Sequence, residues 1–440
     1  MHIAPYLRAS LLLGSGGGFA LATVLTLFPL SGIPLGSWWE AIVQTHGHLQ
    51  LFGWAGLFVV GVALYFLPRL RGTPLARPAL LPWILGVQVA SLLLRFLSQP
   101  FLVATGWLLW KILFILSGVL EALALPAIFL LLLQTVLHKQ TAKNALEGVR
   151  SIAPFILGAF LSLSLAALLN LLNCVSALSS SGMISATGDE ANITLGLFGF
   201  LVPVALAMSS RMLPLYAHIQ PFPTQLLRIL AVAYFGGIIF WLSGIFLPGM
   251  LFTFLNAAGF LLIGMVVLIF TGYFLYLLRK RAQISSQVAT PNAEMQVKRA
   301  LQGRREERRR YGPYVGLIGS AYLWGSLGAL LLCIDGIASL AFGTLPFTID
   351  AIRHSFAVGF ITLLLCGIAV RMIPGFSSKA IRSPRLVTAT LILGNLAALL
   401  RVGSLLLAPV LPGFEFFFAL SGPTGLALVL CLTINLWSAL

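Results

Sequence analysis

Uninterrupted apolar runs set the limits on this fold. Stretches of twenty or more mostly apolar residues recur about twelve times along the 440 residues. About twenty such residues span the hydrocarbon core of a bilayer as a helix. Inside lipid the backbone must satisfy its own hydrogen bonds, which leaves helices or closed barrels. The runs are far too long for barrel strands and lack their alternation. Charged residues make up only 9% of the chain, whereas soluble domains carry about 25%. The pattern predicts an all-α integral membrane protein in a lipid bilayer.

Four spans matter most at this stage: the second (Trp39–Leu67), fourth (Val103–Leu137), sixth (Asn192–Leu215) and tenth (Ile349–Ile373). The first apolar run, Leu7 to Phe28, is long for a signal sequence and lacks a clear small-residue cleavage site, so it reads as a span. The net charge of +16 does not indicate nucleic acid, because the basic residues lie between spans. Arg69, Arg71 and Arg77 follow the second, Lys139, Lys143 and Arg150 the fourth, and Lys379, Arg382 and Arg385 the tenth. Loops after odd-numbered spans carry almost no Lys or Arg, and one holds Asp189 and Glu190. Basic loops stay in the cytoplasm, so both termini are expected there, with the protein multi-pass in a bacterial inner membrane. Residues 279–313 form a basic cytoplasmic linker, expected to lie on anionic headgroups.

An internal repeat organises the spans. Adding 306 to His48, Gly53, Gly61 and Pro68 gives His354, Gly359, Gly367 and Pro374. A third copy, 160 residues before the last, keeps Gly199 and Pro214 but has Thr194 in place of the histidine. The copies fall in the second, sixth and tenth spans. They predict three four-helix pseudo-repeats, 1–138, 151–278 and 314–440, within one polytopic domain covering 1–440. Arg95 and Arg401 share the same offset in the third helix of their units. Arg211-Met212 and Arg371-Met372 both lie inside R-M-[L/I]-P.

A histidine within a membrane span is costly and marks a functional site. His48 and His354 sit at similar depth in the outer third, and two imidazoles across a bundle suit a bis-histidine haem. Gly53 and Gly359, five residues on, would let a flat macrocycle approach the backbone. Arg95 and Arg401, near the same surface, would pair its propionates. His46 is about 200° from His48 around the helix, so it would serve a different face, as a copper ligand or as a packing residue. Glu121 and Asp335 lie within spans and are either proton carriers or hydrogen-bonded acids. Lys111 and Arg353 are further propionate candidates. The four cysteines form no C-x-x-C pair and no C-x-x-C-H motif for covalent haem attachment, so the expected cofactor is haem b.

The motif H-x-H-x-Q-x-x-G-W-x-x-x-F, followed by G-x-x-x-x-x-L-P-R, resembles the NnrS family of twelve-span bacterial membrane proteins. The later H-x-x-x-x-G-F-x-x-x-x-x-x-G-x-x-x-R-M-I-P also resembles it. That likeness implies haem and copper, and a link to nitric oxide and nitrosative stress. The architecture further resembles haem-copper oxidase subunit I, with twelve helices in three arcs and haem histidines on helices two and ten. Those oxidases take copper ligands from helices six and seven. Here the sixth span has Thr194 at the repeat position and the seventh has no histidine, which argues against an oxygen-reducing centre. The oxidases carry H-x-H on helix ten, whereas here it lies on helix two. The early motif reads H-G-H-L-Q rather than the family's acidic H-x-H-E-M. The expectation is a membrane haem protein handling nitric oxide or electrons from a respiratory donor, with turnover left open. A transporter with its substrate site at the repeat interface is the alternative.

Overall fold

The computed structural model describes residues 3–137, 149–180, 182–217, 219–287, 302–303, 305–408, 410–411 and 413–440. Much of the linker at 279–313, including 288–301, lies outside them. The described residues are mostly helical, with short connecting loops and no strand.

Among the described residues, twelve helices are long and apolar enough to cross a membrane. In chain order, spans 1 to 6 are Ala4–Ser31, Trp38–Arg71, Pro78–Thr105, Leu108–Leu137, Ala153–Ser180 and Ala186–Leu215. Spans 7 to 12 are Thr224–Phe246, Met250–Lys280, Tyr314–Phe342, Ile349–Ser377, Pro384–Leu407 and Phe416–Leu436. The long apolar runs therefore become the expected membrane helices.

Burial separates three of them from the rest. In spans 2, 6 and 10, 83%, 94% and 78% of the most apolar stretch is enclosed by other helices, and no other span exceeds 56%. The other nine form a closed ring. Span 1 packs on span 3, and the ring continues through spans 4, 5, 7, 8, 9, 11 and 12 back to span 1. Span 6 packs against both spans 2 and 10. Spans 2 and 10 meet through Trp54 Nε1, which donates to Thr362 Oγ1 at 3.2 Å. Nearer their other ends, Tyr65 stacks on Phe376 at 3.7 Å. The outward faces of ring spans carry exposed large apolar residues such as Leu123, Ile239 and Leu323, suited to hydrocarbon contact.

The core helices share a local irregularity. Each holds an eight-residue π-helical stretch: Leu49–Gly56, Thr194–Leu201 and Ser355–Thr362. Two of these begin immediately after His48 and His354. Such turns, bonded to the fifth rather than the fourth residue, are rare and concentrate at functional sites. Span 1 carries a further one at Gly14–Gly18. A Cβ on Gly14 would fall 2.7 Å from Trp54, and one on Gly18 2.8 Å from Gln50. The glycine run thus lets span 1 lie directly against span 2.

Candidate functional site

The histidine-bearing turn of span 2 presents its two imidazoles to different neighbours. His48 is buried and turns toward span 4, where its Nε2 lies 3.0 Å from Oε2 of Glu121. The approach is off the hydrogen-bonding direction, so His48 Nε2 remains without a directed bond; Glu121 Oε1, the other carboxyl oxygen, also has none. Asn170 of span 5 donates its amide to Glu121 Oε2 at 2.5 Å. Its carbonyl accepts from Arg95 Nη1 at 2.9 Å. Arg95 is only 2% exposed. It also donates to Gln99 Oε1 at 2.8 Å and to Cys174 Sγ at 3.3 Å, and its guanidinium lies over the Phe114 ring. Gln99 continues the chain, donating to Gln44 at 2.6 Å. The result is a polar network joining spans 2, 3, 4 and 5, in which Asn170 links the buried cation to the buried carboxylate.

A small cavity borders this network, lined by Gln44, His48, Arg95, Asn173, Asp189 and Asn192, among others. The amide N–H groups of Asn173 and Asn192 are committed to the carbonyls of Gly188 and Ala166. Their carbonyl oxygens are therefore the groups left to face a guest, and water suits such acceptors.

His46 turns the opposite way. Its Nδ1 lies 2.8 Å from the backbone carbonyl of Gly18 in span 1. A carbonyl can only accept, so Nδ1 carries the proton and the neutral ring keeps its lone pair on Nε2. His354 repeats the arrangement. Its Nδ1 lies 2.9 Å from the carbonyl oxygen of Asp350 and 3.0 Å from its Oδ1. Oδ2 of Asp350 accepts from Arg401 at 2.8 Å, and the Arg401 guanidinium sits 4.3 Å over the Phe418 ring.

The neighbourhood of His46 and His354 is partly open within an otherwise enclosed core. His46, Gly47 and Gln50 on span 2 are half-buried, as are His354, Ala357 and Val358 on span 10. A Cβ on Gly47 would meet nothing within 4 Å. Trp54 and Thr362 join spans 2 and 10 eight residues along the chain from His46 and His354, about 12 Å at the helical rise.

The other candidates fall as follows. Gly53 faces Leu13 and Leu92, and Gly359 faces Trp324, where a Cβ would lie 2.4 Å from that side chain. Both glycines thus serve helix packing. Arg401 is paired with Asp350, and Arg95 with Gln99 and Asn170. Arg353 lies 4.0 Å from Glu190. Asp335 accepts from the backbone N–H of Phe347 at 3.1 Å. Thr194 is fully buried with its hydroxyl unpaired. Among the described residues, no group of three or more His, Cys, Asp or Glu side chains is arranged to hold a metal ion. Sequence reasoning missed Asn170, Gln99, Gly18 and Asp350. Only Asp350 carried a local signal, four residues before His354 on the same helical face.

Twelve spans with paired histidines in the second and tenth meet a whole-chain comparison. The NnrS protein family model matches residues 13–440. The chain belongs to the NnrS family. No curated protein matches it. Membership agrees with the motif resemblance and extends it from about fifty residues to nearly the whole chain.

Proposed function

We propose that this NnrS-family membrane protein holds a b-type haem between spans 2 and 10 and serves nitric oxide handling or respiratory electron transfer. The observation that carries this reading is the pair of half-buried histidines on the core helices, each with Nδ1 bonded to a carbonyl and Nε2 left as the coordinating nitrogen. Metal-bound histidines characteristically donate their other N–H to a carbonyl or carboxylate, which fixes ring and tautomer. Gly47 leaves open space beside His46, and Ala357 near His354 is only half-buried, so the residues present fit the group. Bound haem would supply one-electron chemistry, and its iron would take nitric oxide only in exchange for one of the two imidazoles.

The chain's own residues then do three things. The carbonyl of Gly18 and the carboxylate of Asp350 orient the imidazoles. Arg401 places positive charge at the rim, where propionates would lie. Trp54, Thr362 and the surrounding apolar core shield the inner end from water.

The same reading takes the chain as three four-span units with their second spans in the core, supported by the ring of nine and the three π-helical stretches. It puts both termini in the cytoplasm of an inner-membrane protein, because basic loops follow the even-numbered spans.

Purification with ample haem supply tests the proposal. A Soret band with stoichiometric haem is expected. A colourless, monodisperse protein would sink the haem reading and favour transport, with the cavity beside Arg95 as the first place to seek a solute.

A further inference from the structure

Resting on the haem reading above, we infer that its axial ligands are His46 and His354, oriented by Gly18 and the Asp350–Arg401 pair, and that His48 is not a ligand. The 306-residue offset pairs His48 with His354, but their surroundings separate them. His48 Nε2 faces Glu121 on span 4, within a network anchored on spans 3 and 5. His354 is tied to span 11 through Asp350 and Arg401. Spans 4 and 11 lie on different arcs of the ring, one beside spans 3 and 5, the other beside spans 9 and 12. His46 instead turns to Gly18 of span 1, and span 1 packs on span 12, whose Phe418 lies beneath the Arg401 guanidinium that holds Asp350.

Three features make this pair suitable. Both rings share one tautomer, so the same nitrogen is available on each. Both are partly exposed, and Gly47 beside His46 leaves open space. The groups that accept from the two Nδ1–H donors differ in strength. His46 donates to a neutral carbonyl, whereas His354 also meets a carboxylate at 3.0 Å. A hydrogen bond to a charged group is the stronger, and it raises the basicity of the ligand. His354 is therefore the stronger donor to iron, and Asp350 is a positioning residue that stabilises the oxidised state. Arg401 holds Asp350 in place through Oδ2, leaving Oδ1 for the imidazole. This assignment uses His46 for iron and leaves the copper expected there without its imidazole.

The experiment compares absorption and magnetic resonance spectra of purified, haem-supplied parent, His46→Ala, His48→Ala, His354→Ala and Asp350→Asn proteins, with gel filtration to confirm folding. The parent should show six-coordinate, low-spin haem. His46→Ala and His354→Ala should each become high-spin or lose haem, and added imidazole should restore the six-coordinate spectrum to whichever retains it. His48→Ala should keep the parental spectrum. Asp350→Asn should also keep it, with the midpoint potential shifted upward. A parental spectrum in His46→Ala, or a high-spin His48→Ala, would overturn the assignment while leaving the haem reading intact. An unchanged potential in Asp350→Asn would refute the role given to that carboxylate. A parent without haem would overturn both the reading and the ligand pair.

Discussion

The buried link between Arg95 and Glu121 makes the sharpest energetic prediction. Arg95→Met removes side-chain contacts to Gln99, Asn170 and Cys174. The contacts to Asn170 and Cys174 cross to span 5 and contribute about 1 kcal/mol each; with a few tenths from the bond to Gln99 on the same helix, the loss is about 2 kcal/mol. The charge left behind sets a higher figure. Leaving a buried charge without its counter-charge costs about 3–5 kcal/mol, and Glu121 is fully buried. Glu121→Leu should cost about as much by stranding Arg95. In Arg95→Met/Glu121→Leu both charges are gone, and the main residue is an unsatisfied Asn170 amide at about 1–3 kcal/mol. The double variant should therefore be no less stable than either single variant, a coupling of about 3 kcal/mol or more, at the upper end for interacting residues. Unfolding in mixed micelles, followed by tryptophan fluorescence against the mole fraction of denaturing detergent, measures all four proteins. Single-variant losses that add to within about 0.5 kcal/mol would show that Asn170 does not couple the charges.

Further predictions concern packing and orientation. Gly359→Ala places a methyl group where Trp324 stands 2.4 Å away and should cost about 1–3 kcal/mol through overpacking, read in the same assay. Trp54→Phe keeps an aromatic ring but loses the rest of the buried indole and its bond to Thr362, so it should cost more than the about 1 kcal/mol of the hydrogen bond alone, read in the same assay. A reporter fused after Leu440 should be active only in its cytoplasmic form; activity from a periplasmic reporter would refute the assigned orientation.

The length and spacing of the apolar runs made the twelve spans legible, because crossing a membrane is a one-dimensional requirement. The angular separation of His46 and His48 was equally legible from the helical period, and the two rings do face different spans. What the sequence concealed was the set of partners. Arg95 and Arg401 look equivalent at one offset, yet one is sealed among Gln99, Asn170 and Cys174 while the other sits at a rim on Asp350. Neither Asn170 nor Gln99 stands out in its own helix, since an amide becomes informative only when a buried charge on another helix meets it. Gly53 and Gly359 were read as room for a macrocycle. Leu13, Leu92 and Trp324 occupy the space beside them, because a glycine specifies closeness without specifying what comes close.

The π-helical stretches of the core helices also bear on how the family can vary in length. A turn bonded to the fifth residue holds one more residue than a turn bonded to the fourth. Leu49–Gly56 therefore stores a spare link in span 2. Deleting one residue there lets the stretch relax to ordinary α-helix and leaves both flanking halves facing their present neighbours. The same deletion within Leu57–Arg71, which has no such slack, would turn everything beyond it by about 100° and pull Tyr65 away from Phe376. Natural insertions and deletions in spans 2, 6 and 10 should therefore concentrate at the π-helical level.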